Sequence, residues 1–316
     1  MKAPTIRLAH VPGAQGDNVL QGRNGVERMD RQSPTVRLAT TTAMSSSADE
    51  SAKYRYPHHI ERADGKEALA PALLVSFVYL DLFLKQREKY YYRDWVMDSG
   101  AFSAFHSGVE IKLQEYIDCC KRLLDEDQTL TEVFALDVIG DWQASLDNCA
   151  EMWRQGVPAI PCYHVGEPEH VLLTIAADYP KIALGGAVGY KKKNDWARQC
   201  FARVWPQKIH GFGFGSEKSI LLLPWHSVDA TSWEIGPCKF GRWQSFGKMS
   251  VRGSKQNLRA EVEFYLNLEQ RARQKWRKQM EELETAGPTV RLAEANPISE
   301  TRRASFLARR DDDGRK

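Results

Sequence analysis

The sequence predicts an α/β protein, a (β/α)8 TIM-like barrel carrying a polar tail at each end. Three observations predict it. Short β-branched or apolar runs alternate with amphipathic helical stretches over roughly 200 residues, the pattern of parallel strands joined by crossovers. The 316 residues suffice for one large core. No Gly-x-Gly-x-x-Gly follows the first strand, which argues against a doubly wound sheet and for the barrel.

The strands are expected at Leu73–Leu80, Trp95–Met97, Val133–Leu136, Ala159–Tyr163, Lys181–Leu184, Ile209–Phe212 and Ser227–Val228. A helix over 112–127 puts Leu113, Tyr116, Ile117, Cys120, Leu123 and Leu124 on one stripe. A second over 143–155 aligns Leu146, Cys149, Ala150 and Trp153. Pro168 suits the first turn of a third, carrying Val171, Leu172 and Ile175. Residues 257–284 read as one long charged helix that docks outside the barrel through Leu258, Val262, Tyr265, Leu266, Ala272, Trp276 and Met280.

The ends differ in composition. Residues 1–52 and 287–316 are polar, lack apolar periodicity, and are expected to be disordered tails around a barrel of residues 53–286. They share a hexamer: Pro4-Thr5-Ile6-Arg7-Leu8-Ala9, Pro34-Thr35-Val36-Arg37-Leu38-Ala39 and Pro288-Thr289-Val290-Arg291-Leu292-Ala293. Three copies are too short for a solenoid. They read either as a linear motif for a partner protein or processing enzyme, or as drift in unconstrained sequence.

Other features exclude function classes. No apolar run is long enough to span a bilayer, so no membrane partner is expected. The amino terminus lacks the apolar segment of a signal peptide, which points to the cytoplasm. Cys119, Cys120, Cys149, Cys162, Cys200 and Cys238 form no Cys-x-x-Cys pair and have no His at metal-ligand spacing. They are expected to be reduced core residues, with no metal bound.

In a parallel barrel the carboxyl ends of the strands build the site, so polar residues there carry the functional reading. Asp98-Ser99-Gly100-Ala101-Phe102 follows one strand, and its small residues let a flat ligand approach the backbone. An Asx-turn explains the same residues without any ligand. Asp137 follows the next strand, with Asp141 beyond it. His164 and Asp229 end two others. Gly185-Gly186-Ala187-Val188-Gly189 and Gly211-Phe212-Gly213-Phe214-Gly215 are turns whose backbone could read a base edge or hold a phosphate. Lys239, Arg242, Lys248, Arg252, Lys255 and Arg259, interleaved with Phe240, Trp243 and Phe246, form a basic–aromatic segment of the kind that binds single-stranded nucleic acid. A solvated loop beside core aromatics is the alternative. Lys191-Lys192-Lys193 adds a second basic cluster.

These strand ends, in this order, resemble the tRNA-guanine transglycosylase superfamily, most closely its virus-encoded 7-deazaguanine DNA transglycosylase branch. The resemblance covers about residues 70–250. It rests on Asp98-Ser99-Gly100-Ala101-Phe102, on Leu184-Gly185-Gly186-Ala187-Val188-Gly189, and on His210-Gly211-Phe212-Gly213 followed by Val228-Asp229. It implies a pentosyltransferase that replaces guanine in DNA with a free 7-deazaguanine base of the preQ0 kind. Asp229 would be the nucleophile and Asp98 the acid–base partner. Ser99, Gly100, Phe102, Asp137, His164, Gly185 and Gly186 would hold the base. Lys239, Arg242, Lys248, Arg252 and Lys255 would hold the DNA, and no cofactor is needed. The tRNA enzymes carry a structural Cys-x-Cys-x-x-Cys zinc site that this chain lacks, and Thr231-Ser232-Trp233-Glu234 replaces their basic run after the nucleophile. Both departures favour DNA over tRNA. A non-catalytic nucleic-acid-binding barrel, and a metal-dependent hydrolase using His164, His210, His226 and Asp229, are the rivals.

Overall fold

A computed structural model of the chain describes residues 5–6, 34–39, 70–87, 92–233 and 259–285. They form a parallel α/β barrel. The strands are β1 (Thr5–Ile6), β2 (Thr35–Ala39), β3 (Leu73–Ser76), β4 (Trp95–Asp98), β5 (Leu130–Phe134), β6 (Ala159–Ile160), β7 (Cys162–His164), β8 (Lys181–Gly185), β9 (Lys208–Gly211) and β10 (Ser227–Ala230). The ring runs β6-β5-β4-β3-β2-β10-β9-β8-β7. Strands β6 and β7 flank Pro161 and share one position, so nine strands fill eight places. Backbone bonds carry the ladder past the proline: Ala135 N–H donates to Ile160 O at 2.9 Å and Ala183 N–H to Pro161 O at 2.8 Å.

The strand that completes the ring is the second hexamer. Strand β2 pairs with β10 on one side, Thr35 to Ser227 through Leu38 to Ala230, and with β3 on the other. This corrects the boundary expected at residue 53, because Thr35–Ala39 is buried along its whole length. It also explains why the sequence offered seven strands for eight places. Arg37 Nη2 donates to Glu132 Oε2 at 2.7 Å. Glu132 lies on β5, across the ring, so that contact passes through the barrel interior. Lys181 of β8 donates to the same oxygen at 2.7 Å, and a three-strand ion network braces the lower part of the barrel. Strand β1 pairs with β2 in parallel, Thr5 beside Thr35 and Ile6 beside Val36. The third hexamer lies outside the described residues.

The helices are α1 (Leu80–Gln86), α2 (Ala101–Ser107), α3 (Leu113–Glu126), α4 (Trp142–Arg154), α5 (Glu169–Asp178), α6 (Lys193–Val204), α7 (Glu217–Ile220) and α8 (Arg259–Thr285). The apolar run 73–80 is split: Phe77–Tyr79 is a 3-10 turn leading into α1. Helix α3 buries Tyr116, Ile117, Cys120 and Leu123, as its periodicity requires. Its Tyr116 hydroxyl finds an acceptor in Phe134 O at 2.8 Å, which offsets the cost of burying a phenol. Helix α4 starts at Asp141, whose carboxylate accepts Ala144 N–H at 3.0 Å. The five described cysteines are all free, and all but Cys119 are buried.

Helix α8 spans the outside of the barrel from the carboxyl ends of the strands, the mouth, toward their amino ends, the floor. Near its start Tyr265 bonds to Gly215 O at 3.3 Å, in the loop above β9. One turn later Glu269 takes both guanidinium nitrogens of Arg93, at 3.0 and 3.1 Å, just below β4. Glu269 also accepts the backbone N–H of Val36. A kink at Trp276 follows. Among the described residues no helix is long and apolar enough to cross a membrane.

Candidate active site at the barrel mouth

Asp98 is the last residue of β4. Gly100, with φ of 77°, turns the chain at once into α2, and a Cβ there would lie 2.6 Å from Ser76 Oγ. Only glycine combines that backbone with that approach. Gly100 N–H donates to Asp98 Oδ2 at 3.2 Å. Ser76 stands beside Asp98 in the β3–β4 register, and its buried hydroxyl has no hydrogen-bond partner among the described residues. Burial, and then the charges of Asp137 and Asp229, push the Asp98 carboxyl up to about 7.

Asp229 lies on β10 and accepts Gly213 N–H from the turn above β9. Lys193, at the start of α6, reaches the same turn and donates to Gly213 O at 2.7 Å. Its ammonium also sits 5.2 Å from the Phe214 ring centre. Burial raises the Asp229 carboxyl to about 6, while Gly213 N–H and then the charges of Lys193 and Arg37 hold it back. Burial raises both carboxyls, but Asp229 has cations beside it whereas Asp98 faces two anions.

Asp137, just beyond β5, meets His164 at the end of β7: His164 Nε2 lies 3.3 Å from Asp137 Oδ2. Glu167 clamps the same histidine twice, accepting His164 N–H at 2.8 Å and meeting Nδ1 at 2.9 Å. Gly185 stands beside His164 in the β7–β8 register. A Cβ at Gly185 would meet Cys162 Sγ at 2.7 Å and His164 Cδ2 at 2.9 Å, so a side chain there would displace the imidazole. Burial opposes a charge on His164, but its contacts with the Asp137 and Glu167 carboxylates outweigh it and raise the imidazolium above its ordinary range. Asp137, Cys162 and His164 offer donor atoms within 4.8 Å of one another, enough to hold a metal ion. Burial pushes the Cys162 thiol up to about 12. A metal held there would take the place of the protons on Cys162 and His164.

Apolar side chains rim this mouth. Phe102 and Phe105 on α2, Val138 and Ile139 after β5, and Val188 and Tyr190 after β8 are all exposed, Val188 by 75%.

The structure therefore gathers Asp98, Asp137, His164, Gly185, Gly186 and Asp229 at one end of the barrel. Ser99 is buried beneath them and Phe102 stands on the rim. Lys239, Arg242, Lys248, Arg252 and Lys255 lie outside the described residues. His210 and His226 do not join Asp229: His210 Nδ1 bonds to Ser227 Oγ at 2.8 Å and His226 lies 4.0 Å from Glu132, both lower in the barrel. Burial holds both well below the usual histidine range. The histidine set of the hydrolase reading is not assembled. Sequence reasoning missed Glu167 and Arg37 as site supports, and saw Lys193 only as one of a basic triplet. Its place as the first residue of the helix after a Gly-rich strand end was the available signal. Compared with known proteins, the chain matches no protein-family model and no curated protein.

Proposed function

We propose that this barrel exchanges a nucleobase in DNA, replacing guanine with a 7-deazaguanine through a covalent Asp229–sugar intermediate. The observation that carries the reading is the Asp98–Asp229 pair. Burial raises both carboxyls, two anions raise Asp98 further and Lys193 and Arg37 hold Asp229 back, so that Asp98 is the one to give a proton and Asp229 the one to be an anion. Asp229 attacks C1′ of the sugar and forms the C–O bond. The electron pair of the N-glycosidic bond leaves with the base, which Asp98 protonates. In the second half the incoming base gives its proton to Asp98, attacks C1′ and releases Asp229. Asp137, held in place by His164 Nε2, accepts N–H groups of the base edge. The exposed rim residues cover the faces of a base taken out of the stack.

The direct test supplies labelled 7-deazaguanine base to the purified protein with duplex DNA or with tRNA. Label appearing in DNA supports the reading. Label in tRNA alone moves the activity to tRNA, and label in neither, with tight DNA binding, leaves a non-catalytic binding barrel. A second reading has its own observation: the Asp137–Cys162–His164 group could hold a metal and make the site a hydrolase. Metal content decides between the two.

A further inference from the structure

We propose that the hexamer Pro288–Ala293 is a second encoded copy of strand β2, able to fill the same place in the barrel of its own chain. The strand position reads its occupant closely. Arg37 faces inward to Glu132, while Val36 and Leu38 are fully buried. A one-residue slip would put Val36 where Arg37 meets Glu132 and bury a cation among apolar side chains. Pro288-Thr289-Val290-Arg291-Leu292-Ala293 is identical to residues 34–39 at every position. Whatever the position selects in the one it selects in the other.

Connectivity points the same way. In a ring of alternating strands and helices, the element after the eighth helix is the first strand. Helix α8 already bonds the backbone of β2 through Glu269 and runs past the kink at Trp276 to end at Thr285. Only Ala286 and Gly287 separate it from the hexamer. A glycine just past the last turn ends a helix readily. The present occupant, by contrast, is joined to β3 through residues 40–72. The ring can thus be closed from either end of the chain, and each closure brings an arginine to Glu132 and beside Asp229.

The test uses the full chain. Arg7→Glu with Arg37→Glu puts an anion opposite Glu132 in both amino-terminal copies; a third variant adds Arg291→Glu. The double variant is expected to stay monomeric, to unfold near the wild-type temperature, and to gain amide-exchange protection over residues 288–293. The triple variant is expected to lose its cooperative transition, and Arg291→Glu alone to change nothing. A double variant as damaged as the triple would overturn the proposal. So would a triple variant as stable as wild type, a double variant that folds only as a dimer, or one that folds without protection at 288–293.

Discussion

Arg37 and Asp229 occupy the same level of neighbouring strands, partners in the β2–β10 register. The guanidinium is tied to Glu132 below, yet its charge still favours the Asp229 carboxylate above. A strand that composition assigns to a tail therefore contributes to the electrostatics of the proposed nucleophile.

The two carboxyls should fail differently when neutralised. Asp229→Asn removes the anion that meets C1′, and exchange should fall by about 10⁴-fold or more. Asp98→Asn removes the proton shuttle and should cost about 10²–10⁴-fold. On a denaturing gel with labelled oligonucleotide and no added base, a heat-stable shifted band should form with wild type or Asp98→Asn and not with Asp229→Asn. A band surviving in Asp229→Asn would assign the nucleophile elsewhere.

The rate should be bell-shaped in pH. Asp229 must be ionised, so activity falls as pH drops through about 6; Asp98 must be protonated, so it falls as pH rises through about 7. A kcat/KM profile of the free enzyme, measured with saturating second substrate, checks both limbs. A profile flat from pH 5 to 8 would remove Asp98 from acid catalysis.

Asp98 should also cost stability. Its carboxyl binds a proton more tightly folded than unfolded, so its favourable contribution is complete below about pH 4 and lost as pH rises through about 7. Asp98→Asn should therefore leave stability near wild type at pH 4 and raise it at pH 8, by up to about 4 kcal/mol. Urea midpoints at the two values check the sign. Equal gains at both would mean that packing, not ionisation, is responsible.

A fragment of residues 53–286 looks like the whole catalytic unit by composition, yet it lacks all three hexamers. It should show no cooperative unfolding transition, because β3 and β10 are left with open edges and Lys181 and Glu132 lose Arg37. Calorimetry of the fragment against the full chain measures this. A sharp transition in the fragment would make the strand dispensable.

Purified protein should hold well under one zinc per chain, since Cys162 keeps its proton and His164 is committed to two carboxylates. Elemental analysis after dialysis is sufficient. One tightly held zinc would favour the hydrolase reading, and Cys162→Ser should then release it.

Much of the fold was legible because seven strands and the long helices carry periodic apolar faces. Asp98, Asp137, His164 and Asp229 could be picked out by their place at strand ends alone. Strand β2 could not. Its inward residues are Thr35 and Arg37, its outward Val36 and Leu38 are too few to stand out, and polar sequence surrounds it. The run 73–80 misled in the opposite direction, because the helical turn at Phe77–Tyr79 is as apolar as the strand before it. Glu167 escaped notice because its role depends on the way the chain doubles back at Gly166, where φ is 95°.

Closure through β2 also sets the order of events in folding. Thr35 pairs with Ser227, a separation of 192 residues, so this contact can form only after nearly the whole barrel has been synthesised. Until then β2 can pair on one side alone, and β10 arrives to find its partner tethered at the far end of the chain. Contacts of such long sequence range are the slow ones. The barrel's last hydrogen-bonded ladder should thus be the rate-determining one, with two unpaired strand edges exposed to other nascent chains while it waits.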